Sequence, residues 1–102
     1  MPPEPTERVQ RHIAELFAAG ERETATALLA DECGDNLPLI REQDESEMER
    51  IRIAALRMSG GDLAKLREAV GIAQVDWRDL LVAAGFGNDP RAHERWNPPR
   101  ED

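Results

Sequence analysis

Tyrosine is absent from this chain, and cysteine, lysine and serine are scarce: one Cys, one Lys and two Ser in 102 residues. Each scarcity removes a class of function. A lone Cys33 forms no internal disulfide and matches none of the paired spacings that hold zinc. The two serines, Ser46 and Ser59, both fall at predicted helix boundaries, so there is no Ser-centred glycine elbow and no phosphate-cradling loop. Long apolar runs are missing too: the longest, Leu80 to Phe86, is far short of the roughly 20 residues that a membrane span needs. Basic residues are outnumbered, 13 Lys plus Arg against 21 Asp plus Glu, and the net charge of -8 repels phosphate backbones and anionic membranes. The start, Met-Pro-Pro-Glu-Pro, has no basic stretch and no apolar stretch before a cleavage site, so the expected location is the cytoplasm.

What is present fits one small folded domain. Apolar residues at 40% and charged residues at 33% are ordinary for a globular chain, and this length supports a single core. Proline at 2, 3 and 5 and again at 98 and 99 predicts extended tails over 1–5 and 97–102, leaving 6–96 as the domain. Charge is uneven along it. Residues 1–50 hold thirteen acids and five bases, whereas 51–102 hold eight of each.

Period-3.6 patterning recurs along the domain, and alternating strand patterns are absent. Thr6 is placed to cap a first helix carrying Val9, Ile13, Leu16 and Phe17 on one face and stopping at Gly20. A second follows with Ala25, Leu28, Leu29 and Cys33, stopped by Gly34, so the pair is expected to form a helical hairpin. The segment from Asp35 to Asp44 reads as a loop. Its acidic run continues through Glu45, Glu47 and Glu49 and reads as a solvated stretch favouring a helix N-terminus. Ser46 with Glu49 is a capping-box pattern for a third helix, whose stripe is Met48, Ile51, Ala54, Ala55 and Met58 and whose stop is Gly60-Gly61. Asp62 caps a short helix with Leu63, Leu66 and Val70, ending near Gly71 or continuing through Ile72 and Ala73. Asp76 caps another with Trp77, Leu80, Leu81 and Ala84, stopped by Gly85 and Gly87. A final turn runs from Asp89-Pro90 to Trp96. The predicted fold class is all-α: about five helices, with a hairpin followed by a trihelical, helix-turn-helix-like unit.

Gly60-Gly61, Gly71-Ile72, Trp77, Leu81 and Gly85-Phe86 are spaced in a way that resembles the helix-turn-helix of Fis-type bacterial regulators. That resemblance implies a trihelical fold and a DNA-binding second helix. The residues oppose the second implication: 62–85 holds Lys65, Arg67 and Arg78 against Asp62, Glu68, Asp76 and Asp79. A DNA-binding regulator would need Arg52, Arg57, Lys65, Arg67, Arg78, Arg91, Arg95 and Arg100 to gather into one basic face. The run Arg50 to Leu56 with Asp76-Trp77-Arg78-Asp79-Leu80-Leu81 also resembles short uncharacterised bacterial all-helical proteins, a resemblance that carries no activity.

No nucleophile, base and orienter can be assembled, and neither His12 nor His93 has ligands at metal spacing, so no enzyme, metal or cofactor is expected. Cys33 shares the apolar face of its helix and reads as a small core residue. The remaining expectation is a protein-interaction, adaptor or regulatory module, acting on an unknown protein or on itself. Trp77, Arg78, Leu80 and Trp96 are its candidate contact residues, since Trp and Arg dominate interface hot spots.

Overall fold

The structure is a computed structural model that describes residues 5–33, 45–89 and 91–98. Five helices and no strand occur among these residues: α1 (Glu7–Leu16), α2 (Ala19–Glu32), α3 (Glu45–Ser59), α4 (Leu63–Ala83) and α5 (Ala92–Arg95). The all-α bundle expected from the patterning is therefore present. Among the described residues, no helix is long and apolar enough to cross a membrane.

Thr6 starts α1 as predicted, its hydroxyl accepting from the Val9 amide at 3.4 Å. The helix ends earlier than Gly20. Phe17 turns extended (φ -110°, ψ 143°) and buries its ring, and Gly20 lies inside the first turn of α2. The stop is made by a side chain: Arg22 donates from Nε to the Phe17 carbonyl at 3.0 Å and from Nη2 to that of Ala14 at 2.9 Å. A guanidinium satisfies the orphan carbonyls that a left-handed glycine would otherwise have served. The two-residue link packs α1 against α2, and α2 buries Ala25 and Leu29, followed by Cys33. The predicted Gly34 stop and the loop Asp35 to Asp44 lie outside the described residues.

Helix α3 forms the centre of the bundle. Ile51, Arg52, Ile53, Ala54, Ala55 and Leu56 are all buried, so other elements cover every side of this stretch. The predicted stripe captured only part of that burial, and Met58, assigned to it, is 38% exposed. The capping-box expectation fails, because α3 already includes Glu45 and places Ser46 within the helix. Arg52 reaches α2, its Nε donating to the carbonyls of Leu29 and Cys33 at 3.0 Å each. A buried cation at a helix C-terminus satisfies orphan acceptors and the negative end of the dipole together.

Gly60 (φ 57°) and Gly61 (φ 89°) reverse the chain after α3. The Ser59 hydroxyl donates to the Leu56 carbonyl and accepts from the Gly61 amide, and Asp62 then caps α4 through the amides of Ala64 and Lys65. Gly71 neither stops nor turns the chain. The helix passes through it to Val75 and breaks at Asp76 (φ -158°, ψ 108°), whose carboxylate accepts from the Arg78 amide and restarts the helix. A glycine costs only about 1 kcal/mol within a helix, whereas the Asp76 side chain supplies a new N-terminal acceptor, so the break falls at the cap. Gly85 (φ 82°) ends α4 with the paired bonds Gly85 amide to Val82 carbonyl and Phe86 amide to Leu81 carbonyl, and Phe86 is buried.

Of the residues assigned to the tails, 1–4 and 99–102 lie outside the described residues. Pro5 and Pro98 are both buried, and the Pro5 carbonyl accepts from Gln10 at 2.8 Å. Composition marks prolines as unable to continue helices, but it does not register that a proline ring is also apolar surface to cover.

A Cβ added at Gly61 would lie 2.5 Å from the Leu16 carbonyl oxygen, at a φ that L-residues avoid, whereas one added at Gly20 would meet nothing within 4 Å. Gly61→Ala should therefore lower unfolding free energy by about 2 kcal/mol or more. Gly20→Ala should leave stability unchanged or raise it by about 0.5 kcal/mol. Urea denaturation followed by circular dichroism checks both.

Candidate functional site

The four candidate contact residues meet different fates. Leu80 is 0% exposed and belongs to the core, so its assignment to a contact surface is corrected: the helix face chosen for Trp77 and Leu80 points mostly inward. Trp77 is half-buried against that core, and its indole Nε1 is buried without a partner among the described residues. Arg78 stays outside, with its side chain 62% exposed. Its carboxylate partner is local: Nε and Nη2 grip Asp76 at 2.9 and 2.8 Å. That guanidinium holds the Asp76 carboxyl below its usual range, and the carboxylate raises Arg78 in return. Trp96 follows α5 and lies half-buried, its ring 5.3 Å from that of His12 at an interplanar angle of 71°.

Five of the bases named for phosphate contact are engaged within the chain. Arg52 is buried on α2 carbonyls, Arg57 sits over the Phe86 ring at 5.2 Å, and Arg78 is closed on Asp76. Arg91 binds Glu94 at 2.7 Å, and Arg95 binds Asp89. These contacts lower the carboxyls of Glu94 and Asp89, the first through the Arg91 guanidinium and the second mainly through the Arg91 amide. Arg100 lies outside the described residues. Of the eight bases named from the sequence, Arg57, Lys65 and Arg67 are exposed without a described carboxylate partner.

The most developed polar cluster was not anticipated. It lies where α1, α3 and α5 meet, around Glu49, which the sequence had assigned to a capping box and a solvated acidic run. The Glu49 side chain is 15% exposed. Its Oε1 accepts from the Thr6 hydroxyl at 2.7 Å, and its Oε2 lies 3.2 Å from both Arg8 Nη1 and His93 Nε2. Arg8 also approaches Glu94 at 3.9 Å. One carboxylate thus ties together the N-terminal cap of α1, the body of α3 and the short α5. Imidazole beside carboxylate is also the pairing used for proton transfer, but His93 is 1% exposed and its Nδ1 is buried without a described partner. No reactant reaches either ring nitrogen in this conformation, so the pair acts as a tie between helices.

His12 is the second buried histidine, 1% exposed, with neither ring nitrogen hydrogen-bonded among the described residues. Burial pulls its pKa below 6.5, Arg11 and Arg8 add to that effect, and Glu15 opposes it. One signal was available beforehand: His12 lies three residues after Val9 and beside Ile13, on the buried side of α1. For Glu49 there was none, because its partners are more than forty residues away in sequence.

Elsewhere, a shallow groove of about 290 Å³ runs between α3 and α4, lined by Met58, Lys65, Glu68, Ala69 and Ile72. Beyond it, α4 leaves Val75 80% and Val82 72% exposed. Burial pushes the Cys33 thiol up to about 12, so it is a protonated packing group at neutral pH. Among the described residues, no cluster of His, Cys, Asp or Glu is arranged to hold a metal. Comparison of the chain with protein-family models, with curated proteins and with solved structures yields no match.

Removing the Glu49 carboxylate strands Thr6, Arg8 and His93 together. Glu49→Ala should cost about 3 kcal/mol of stability in urea, and Glu49→Gln less, because an amide oxygen still accepts. Arg78→Ala, which breaks a fully exposed pair, should leave the unfolding midpoint unchanged.

Proposed function

We propose that this chain is a small interaction module that binds another protein, or a second copy of itself, through the outward surface of α4. The observation that carries this reading is the exposure of Ile72 (39%), Val75 (80%) and Val82 (72%) on either side of the Asp76 break. A single exposed valine is unremarkable on any protein, but three β-branched side chains on one helical segment supply apolar contact area at little entropic cost. Arg78 stands between Val75 and Val82, already oriented by Asp76, and is suited to a carboxylate or carbonyl at the edge of that contact.

The segment that the Fis-type resemblance makes the DNA-reading helix supports protein contact better than groove contact. Its outward residues Asp79 and Val82 offer no donor to base edges or phosphates, and its one arginine is paired in place with Asp76. The whole chain adds a charge of -8. Counterion release, which drives association with duplexes, has little to act on here.

The test places a photo-crosslinking residue at position 75 or 82, with exposed Glu23 on α2 as the control position, in the cells that make the protein. Discrete protein adducts from 75 and 82 but not from 23 are expected. A mass of twice the chain identifies self-association, and any other mass identifies a partner. Adding Glu at the unlabelled one of the two positions should abolish the adducts while leaving the far-UV spectrum intact. Equal labelling from all three positions, or salt-sensitive binding of a mixed-sequence DNA duplex at low salt, would overturn the reading.

A further inference from the structure

We propose that Trp96 is an acid-released latch: protonation of His12 unseats the Trp96 ring from α1, while α5 stays anchored to α3 through His93 and Glu49. The proposal stands on the geometry of the seat. His12 is 1% exposed, neither of its nitrogens makes a hydrogen bond among the described residues, and the ring packed against it is that of Trp96. A neutral imidazole tolerates such a seat, whereas an imidazolium has there only the partly exposed Glu15 carboxylate, 3.8 Å from Nδ1, and desolvating it against so weak a counter-ion is costly.

The charged groups around this seam decide the direction. On α1, Arg8 and Arg11 repel an imidazolium, and Glu15, whose Oε2 is 3.8 Å from Nδ1, attracts it. From α3 comes Glu49, already engaged by Thr6, Arg8 and His93; from α5 come His93, Glu94 and Arg95, of which Glu94 is engaged by Arg91 and Arg95 by Asp89. Glu15 is 45% exposed, so its attraction is screened, and burial prevails. Because the seated value lies below 6.5, the contribution of neutral His12 to holding the seat is complete above that pH. It is lost as pH falls through the depressed value.

The two attachments respond differently to acid. His93 Nε2 donates to Glu49 whether or not the ring carries a second proton, so that bond persists while the His12 seat fails. Trp96 lies outside any helical turn. It follows the last helical residue in extended conformation (φ -79°, ψ 136°), so its displacement disturbs no helical turn. Release would expose an indole and the His12 ring that it covers, creating a contact surface that neutral pH conceals.

The test uses the full chain carrying Trp77→Phe, so that Trp96 is the sole fluorophore, and follows acrylamide quenching and far-UV ellipticity between about pH 7.5 and 4.5, the range in which histidine titrates. Quenching should rise as pH falls below 6.5 while ellipticity stays constant, and adding His12→Phe should remove the dependence. As a second measurement on the unsubstituted chain, nuclear magnetic resonance should show the Trp96 indole N–H shifting with the same midpoint as the His12 ring. The Trp77 signal should stay still. Quenching that is flat with pH, that persists in H12F, or that changes only together with ellipticity would overturn the latch.

Discussion

Six consecutive residues of α3, from Ile51 to Leu56, are out of contact with solvent, and a helix can bury six in a row only when other elements cover all of its faces. The remaining architecture follows from that constraint. Helices α1, α4 and α5 pack on α3 directly, and α2 closes against α1 and α4. Arg52 is the one charged member of the buried run. Its Nε reaches the end of α2, where two carbonyls need a donor, so the least apolar position on the central helix joins it to the element it packs on least. Burial of a cation is tolerated there because its hydrogen bonds are met by groups that would otherwise be unmet themselves.

Side chains rather than glycines make several of the helix ends. Arg22 closes α1, Arg52 closes α2, and Asp62 and Asp76 open the two halves of α4. The same economy pairs several of the twelve arginines with groups of the chain itself. Arginine has five donors in a fixed fork, and where carbonyls and carboxylates lie within reach they occupy it before any external anion can. Ile72, Val75 and Val82 of α4 stay exposed. The polar seam around Glu49 belongs to the fold's cohesion, and the two histidines within it differ in kind: one is hydrogen-bonded to a carboxylate, the other is packed against an indole.

Helical periodicity made most of the fold legible. The stripes through Val9 and Ile13, Ala25 and Leu29, and Leu66 and Val70 are buried where the spacing placed them, and Thr6, Asp62 and Asp76 cap as their chemistry dictates. The errors share a cause. Glycine at 20 suggests a helix stop, and at 71 either a stop or continuation through Ile72 and Ala73; a helix tolerates one when packing and the next cap favour continuation, and α4 continues. Ser46 and Glu49 fit a local motif, but Glu49 found partners on α1 and α5 instead. The site was less legible than the fold. Arg78 lies at the surface and Trp96 is half-buried, whereas Leu80 is wholly inside, because two residues, about 200° of helical phase, separate that core leucine from the exposed Val82.

By itself the sequence determined the helical class, the position of most caps and the amphipathic faces, all of which depend on residues within four positions of one another. Tertiary structure alone decided that α3 would be central, that Glu49 would join three elements, and that Arg52 would be buried on the end of α2. The physical reason is range: backbone hydrogen bonding and helical phase are local, while the partner of a long charged side chain is whichever group folding brings within about 3 Å of it.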